Sequence, residues 1–312
     1  MRGTVRLAWL AGLVLGLGFS LPSWAAPDAV KIRAVASFSI LGDLVRAVGG
    51  PYVAVTNLVG PDSDTHGFSP SPADAKKLAT ADIVFVNGLG LEGWLDRLIR
   101  ASGTRAPVVV TSTGVKTIAA VHEHAHADGG HGHDDHAVDP HAWQSVANVR
   151  IYVANIRDGL TKVDPTHAEA YRAAADAYTA QLDALDQAVR QAVEKIPPEN
   201  RRIITTHDAF GYLADAYGLR FIAPQGVSTE SEASPRDIAA IIRQIRREKV
   251  PAVFLENISD PRQMEQIARE GGARIGGKVY SDALSGPDGP AATYLDMMRS
   301  NLRAFDAALT PG

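Results

Sequence analysis

Apolar and polar positions along the chain alternate between two periods. Lys31 to Ala36 alternates residue by residue and predicts a strand, whereas Ile40 to Val48 carries apolar residues at helical spacing and stops at Gly49-Gly50. Tyr52 to Val59 reads as a second strand, followed by a loop from Gly60 to Gly67. Ser71-Pro72-Ala73-Asp74 then opens a helix with a cap residue, a proline at the first helical position and an acid in the first turn. Asp82 to Val86 predicts a short buried strand, Leu91 to Ala101 a helix, and Val108 to Val110 a further strand.

The pattern changes from Asp164-Pro165 onward. Tyr171, Ala175, Tyr178, Leu182, Leu185, Val189, Val193 and Ile196 step by three and four, and Pro197-Pro198 ends the run. A helix of about 32 residues would span roughly 48 Å at 1.5 Å per residue. Strand and helix then alternate again. Strands are expected at Arg202 to Thr206, Arg220 to Ala223 and Val253 to Leu255, and Val279-Tyr280 leads into Ser281-Asp282. Helices are expected at Asp208 to Tyr217, Ser234 to Lys249, after Asp260-Pro261, and from about Pro290 to Leu309. The plan is α/β: two similar lobes, each a parallel sheet flanked by helices, joined by one long backbone helix. The expected divisions are an N-terminal lobe over 26–163, a linking helix over 164–196 and a C-terminal lobe over 197–312.

Composition narrows the partners. The 312 residues carry a formal net charge of −4 with the basic residues dispersed, which argues against a nucleic-acid ligand, since that needs a clustered basic face. Residues 1–25 read as a secretory signal peptide: a basic start, an apolar run from Leu7 to Phe19, and Ser23-Trp24-Ala25 before the cut. The apolar run is shorter than the roughly 20 residues of a membrane span. There is no cysteine anywhere, so neither a disulfide nor a lipid-bearing cysteine is available. A freely soluble monomer in a periplasm is the expectation.

The histidines redirect attention to one region. Seven of the ten fall between His122 and His141. His122, His124, His126, His131, His133 and His136 lie in an aperiodic stretch, about 119–138, with Gly129-Gly130 in its middle. Its composition reads as a mobile, metal-collecting loop. His141 follows the rigid pair Asp139-Pro140. His66, His207 and Asp282 lie at or just beyond strand ends, where open α/β sheets bind ligands. Two of these four candidates come from each half. Facing lobes would converge three imidazoles and a carboxylate, a set suited to tetrahedral zinc, while manganese would favour more oxygen. Each residue alone also admits an ordinary surface or turn-capping role, and His167 in the first turn of the long helix is expected to face solvent. Glu256 and Asp208 are candidates for orienting a ligand histidine, or for the surface.

Four segments taken together carry a resemblance. They are Thr65-His66-Gly67-Phe68-Ser69-Pro70-Ser71-Pro72, Asn87-Gly88-Leu89-Gly90-Leu91-Glu92, Asp139-Pro140-His141-Ala142-Trp143 and Thr205-Thr206-His207-Asp208-Ala209-Phe210-Gly211-Tyr212. They resemble, in order and over essentially the whole mature chain, the periplasmic zinc and manganese receptors of bacterial ABC importers. The resemblance implies that His66, His141, His207 and Asp282 are the metal ligands, with a permease in the inner membrane as partner and a periplasmic zinc chaperone as a further candidate. It implies Zn2+ over Mn2+, because manganese members usually have glutamate where this chain has His207, and zinc members often carry a His-rich loop. The cysteine pair of some zinc members is absent here.

Other classes fare less well. A zinc hydrolase keeps a coordination position open for water. The chain has no His-Glu-x-x-His helix and no histidine pair at four-residue spacing outside the loop. A metal-dependent adhesin on the same fold is a further alternative, since fold does not fix function. Release of metal is expected to use small-residue segments at Gly276-Gly277 and Ser281 to Gly289.

Overall fold

A computed structural model describes residues 31–120 and 138–310. The predicted strands of the first half form one parallel sheet, in the order β2-β1-β3-β4. Its strands are β1 (Ile32–Ala36), β2 (Val53–Asn57), β3 (Ile83–Val86) and β4 (Val108–Val110). The second half repeats the order as β6-β5-β7-β8, again parallel throughout. These strands are β5 (Arg202–Ile204), β6 (Arg220–Ile222), β7 (Ala252–Glu256) and β8 (Arg274–Val279).

Helices cover the sheets as the crossover rule requires for parallel strands. In the first lobe they are α1 (Ser39–Gly49), α2 (Pro72–Ala79) and α3 (Leu95–Ser102). The Asp74 carboxylate, the acid expected in the first turn of α2, accepts the Ser71 backbone N–H at 2.9 Å. α3 begins four residues later than its apolar spacing suggests. Gly88, Leu89 and Gly90 all adopt positive φ (83°, 57° and 85°), so the chain turns sharply before it can coil.

One helix went unrecognised in the sequence. α4 (Val146–Val163) buries Val146, Val149, Val153, Ile156 and Leu160, a three-and-four spacing that was legible but overshadowed by its longer successor. At Gly159 a Cβ would stand 3.0 Å from Val109 and 3.1 Å from Phe85, so glycine lets α4 lie close on the first sheet. The long helix α5 (Ala168–Lys195) has 28 residues, about 42 Å at 1.5 Å per residue. It is shorter than expected because Pro165–His167 forms a 3-10 turn before it. Its buried face is the predicted one, Tyr171 to Val193. His167 is not free in solvent: its ring stacks on Tyr52 at 4.0 Å and its Nδ1 lies 2.6 Å from Asp164.

The remaining helices, α6 (Gly211–Tyr217), α7 (Pro235–Glu248), α8 (Arg262–Gly271) and α9 (Tyr294–Leu309), complete the second lobe. One continuous apolar core joins α1, α4, α5 and α9 to both sheets, including Phe254 and Phe305. A smaller core lies under α7 and α8. Shared packing of this kind ties the lobes together, because close-packed interiors deform little. Gly276 and Gly277, expected in a mobile segment, belong instead to β8 at a register shift against β7. A Cβ on Gly276 would sit 2.6 Å from the Phe254 ring, so close packing accounts for that glycine. Ser281 to Ser285 are buried as well.

Candidate metal centre

Three of the four candidates lie in irregular segments that follow strand ends, and His141 stands just before the turn that leads into α4. His66 follows β2, His141 lies between β4 and α4, His207 follows β5 and Asp282 follows β8. The structure brings these four together between the lobes, with one ligand atom from each within 4.8 Å of all the others. His141, His207 and Asp282 are fully buried, while His66 keeps 6% of its surface exposed.

The spacing suits a small ion. Nε2 of His66 stands 3.2 Å from Nε2 of His141, and Asp282 Oδ2 lies 3.1 Å from His207 Nε2 and 3.3 Å from His66 Nε2. Asp282 Oδ1 is 3.5 Å from His141 Nε2. Donors held about 2.0–2.1 Å from a tetrahedral ion stand about 3.3–3.4 Å from one another. Asp282 Oδ1 is buried with no hydrogen-bond partner, an acceptor that a cation would satisfy.

Two of the candidate rings are clamped from behind. His141 Nδ1 is 2.7 Å from Asp139 Oδ1, and His207 Nδ1 is 2.6 Å from Glu256 Oε2. Glu256 is 3% exposed, which decides between its two readings in favour of the buried one. Its Oε1 accepts the backbone N–H groups of Thr206 and His207 at 2.7 and 3.0 Å, and its Oε2 accepts the Ser281 hydroxyl at 2.7 Å. In the sequence Asp139 shows only as part of a rigid entry to His141. An acid two residues before a ligand histidine, on the same tight turn, was the overlooked signal. Asp208 lines a different cavity, with Asp139 and Gly211. These clamps fix each ring's tautomer and leave Nε2 facing the centre.

Charge follows from this packing. Burial pushes the His141 pKa down, but Asp282 and Asp139 outweigh it and hold it at about 9. The same contest, with Glu256 and Asp282 as the anions, raises His207 well above its ordinary value. Burial works to raise Asp282, yet His207 and His141 hold it well below the usual carboxylate range.

The two halves grip each other at the rim. Asp62 accepts the Asn257 side-chain amide at 2.9 Å, and Asp64 accepts the Thr229 hydroxyl at 2.6 Å and the His66 backbone N–H at 2.9 Å. Trp143 Nε1 and Gln144 Nε2 donate to Ser281 O at 2.9 and 2.8 Å, so first-lobe side chains hold the residue before Asp282. A cavity of about 360 Å3, lined by His66, Leu89, Val138, Pro140, Val227 and Ser228, opens beside the centre. The six other candidate histidines, His122 to His136, lie outside the described residues.

Comparison with known proteins identifies the family. The family model described as zinc-uptake complex component A, periplasmic, matches residues 34–308. The manganese-binding lipoprotein MntA of Halalkalibacterium halodurans is 34% identical over 283 residues, covering 91% of this chain and 90% of that protein. The iron-binding protein YfeA of Yersinia pestis is 33% identical over 270 residues, 86% and 84% of the two chains. Among solved structures, the periplasmic zinc-binding protein TroA of Treponema pallidum superposes with a TM-score of 0.81 at 29% identity, covering 90% of this chain and all of that one (100%). The Mn-bound periplasmic metal-binding protein of Candidatus Liberibacter asiaticus gives 0.77 at 31% identity, covering 89% and 100%. With two like parallel sheets, a helical spine and a matching model over nearly its whole length, the chain belongs to the zinc-uptake component A family, the metal-binding receptors of ABC importers, and not to an enzyme family.

Proposed function

We propose that the chain captures Zn2+ in the periplasm with His66, His141, His207 and Asp282 and hands it to an ABC permease in the inner membrane. The observation that carries this reading is the donor set: three imidazole nitrogens and one carboxylate, spaced 3.1–3.5 Å apart along the measured edges. Imidazole-rich sites suit zinc, and four protein donors close its shell, as holding and delivery require. A second reading, Mn2+ or Fe2+, draws on Asp282, whose two oxygens both approach ligand nitrogens and would supply a fifth donor. Protein stripped by chelator and dialysed against equal Zn2+ and Mn2+ is expected to retain one zinc per chain by elemental analysis. Preferential retention of manganese would overturn the zinc reading and leave the receptor reading standing.

The histidines at 122, 124, 126, 131, 133 and 136 act in this reading as a low-affinity collector that raises the local supply of metal. Deleting 122–136 is expected to remove the weak sites and keep the tight one; unchanged zinc stoichiometry would overturn the collector. Among the described residues no helix is long and apolar enough to cross a membrane. A periplasmic zinc chaperone is a second partner in this reading, and among the described residues His66 is the one candidate ligand that keeps any exposure for a handover.

A further inference from the structure

We infer that Glu92 and Asn87, which hydrogen-bond to none of the four candidate ligands, are positioning residues for His141 and set how tightly the ion is held. The inference rests on the metal reading above. No helix or strand carries Asp139 to His141, so its backbone must be fixed by neighbours. Asn87 supplies one such hold: its side-chain Nδ2 donates to Pro140 O at 2.9 Å, at the peptide that leads into His141. The same amide is itself fixed, because Tyr152 donates its hydroxyl to Asn87 Oδ1 at 2.5 Å.

Glu92 holds Asn87 in turn. Its Oε1 accepts the Asn87 backbone N–H at 2.7 Å and the Ser37 hydroxyl at 2.6 Å, and its Oε2 accepts the Gly88 N–H at 3.1 Å. These bonds stabilise the run of positive φ at Gly88, Leu89 and Gly90, where Leu89 is strained for a residue with a Cβ. Glu92 is 8% exposed, too costly a place for a carboxylate without such donors.

The second lobe supplies the parallel. The two sheets have one strand order, so β3 corresponds to β7. Glu256 ends β7 and Glu92 lies just beyond β3. Each gathers backbone N–H groups and one serine hydroxyl at the carboxyl ends of its sheet. In the second lobe that carboxylate also touches the ligand ring directly. In the first lobe the ring is clamped by Asp139, and the buried glutamate acts one step back, through Asn87 and Pro140.

The test compares Asn87→Ala, Glu92→Gln, Tyr152→Phe and His141→Ala in the full chain. Zinc affinity is read by chelator competition, the visible spectrum of the Co2+-loaded protein reports ligand geometry, and melting of the metal-free protein reports folding. Asn87→Ala and Glu92→Gln are each expected to weaken zinc roughly 10- to 100-fold, the usual effect of losing an outer partner of a metal site, and to alter the Co2+ bands. The double variant should be no worse than the weaker single, since both act on one chain of bonds. If either fails to fold, Tyr152→Phe, which keeps the ring volume and loses only the hydroxyl, should show the same change in smaller measure. Variants that melt earlier yet keep native affinity and Co2+ bands would overturn the inference, provided His141→Ala loses zinc. Native affinity in His141→Ala would overturn the metal reading itself.

Discussion

Nδ1 of His207 and Oε2 of Glu256 are 2.6 Å apart, and neither side chain meets solvent. A contact this short and this dry fixes the imidazole in one tautomer, with Nε2 free for a metal ion. Glu256→Gln keeps the shape but removes the charge. It is expected to lower zinc affinity roughly 10- to 100-fold, measured by chelator competition. Native affinity in that variant would mean the ring is oriented by packing alone.

His207 also matters without metal. It stands between Glu256 and Asp282, 3.1 Å from the latter, and neutralises two buried acids when protonated. His207→Ala would remove the imidazole that both carboxylates share, leaving Glu256 its backbone and Ser281 bonds and Asp282 its contacts with His66 and His141, and removing one partner of a buried pair costs up to about 3–5 kcal/mol. The metal-free variant should therefore unfold at lower denaturant than the parent. His66→Ala, at the solvent edge and with no carboxylate on its Nδ1 among the described residues, should lose metal faster and leave metal-free stability nearly unchanged.

Affinity should depend on pH with a definite sign. A bound ion needs neutral imidazoles, and the ion-free centre holds the His141 pKa at about 9 and raises that of His207. Below that value the ion must displace protons, so affinity rises as pH climbs from 5 towards 9. Zinc added to metal-free protein at pH 7 in weak buffer should release protons, which calorimetry in buffers of different ionisation enthalpy can count. Affinity flat across this range would contradict three-histidine ligation.

Gly211 makes a testable contact. A Cβ there would stand 2.5 Å from Asp139 Oδ2, and that acid holds the His141 ring. Gly211→Ala should push the carboxylate aside and weaken zinc binding, with little change in secondary structure by circular dichroism. Unaltered affinity would show that Asp139 can shift without cost.

Three of the candidate ligands, His66, His207 and Asp282, were legible because each pairs a metal-binding side chain with a strand end, and strand ends follow from local alternation of apolar residues; His141 stood out by the rigid Asp139-Pro140 pair before it. The buried face of α5 was legible for a related reason: a three-and-four repeat needs no partner to be recognised. α4 carries the same repeat and was passed over, and the early start expected for α3 failed because a turn at Gly88 to Gly90 overrides propensity. Asn87 and Glu92 gain their meaning only in the folded chain, and Glu256, already a candidate for orienting a histidine, gains its partner there. Asn87 meets Pro140, Glu92 meets Ser37 and Glu256 meets His207 because packing brings remote segments within about 3 Å, and such distances have no period along a sequence. Periodicity thus fixes which surfaces are buried, while the close approach of two lobes through one shared core decides which polar groups meet.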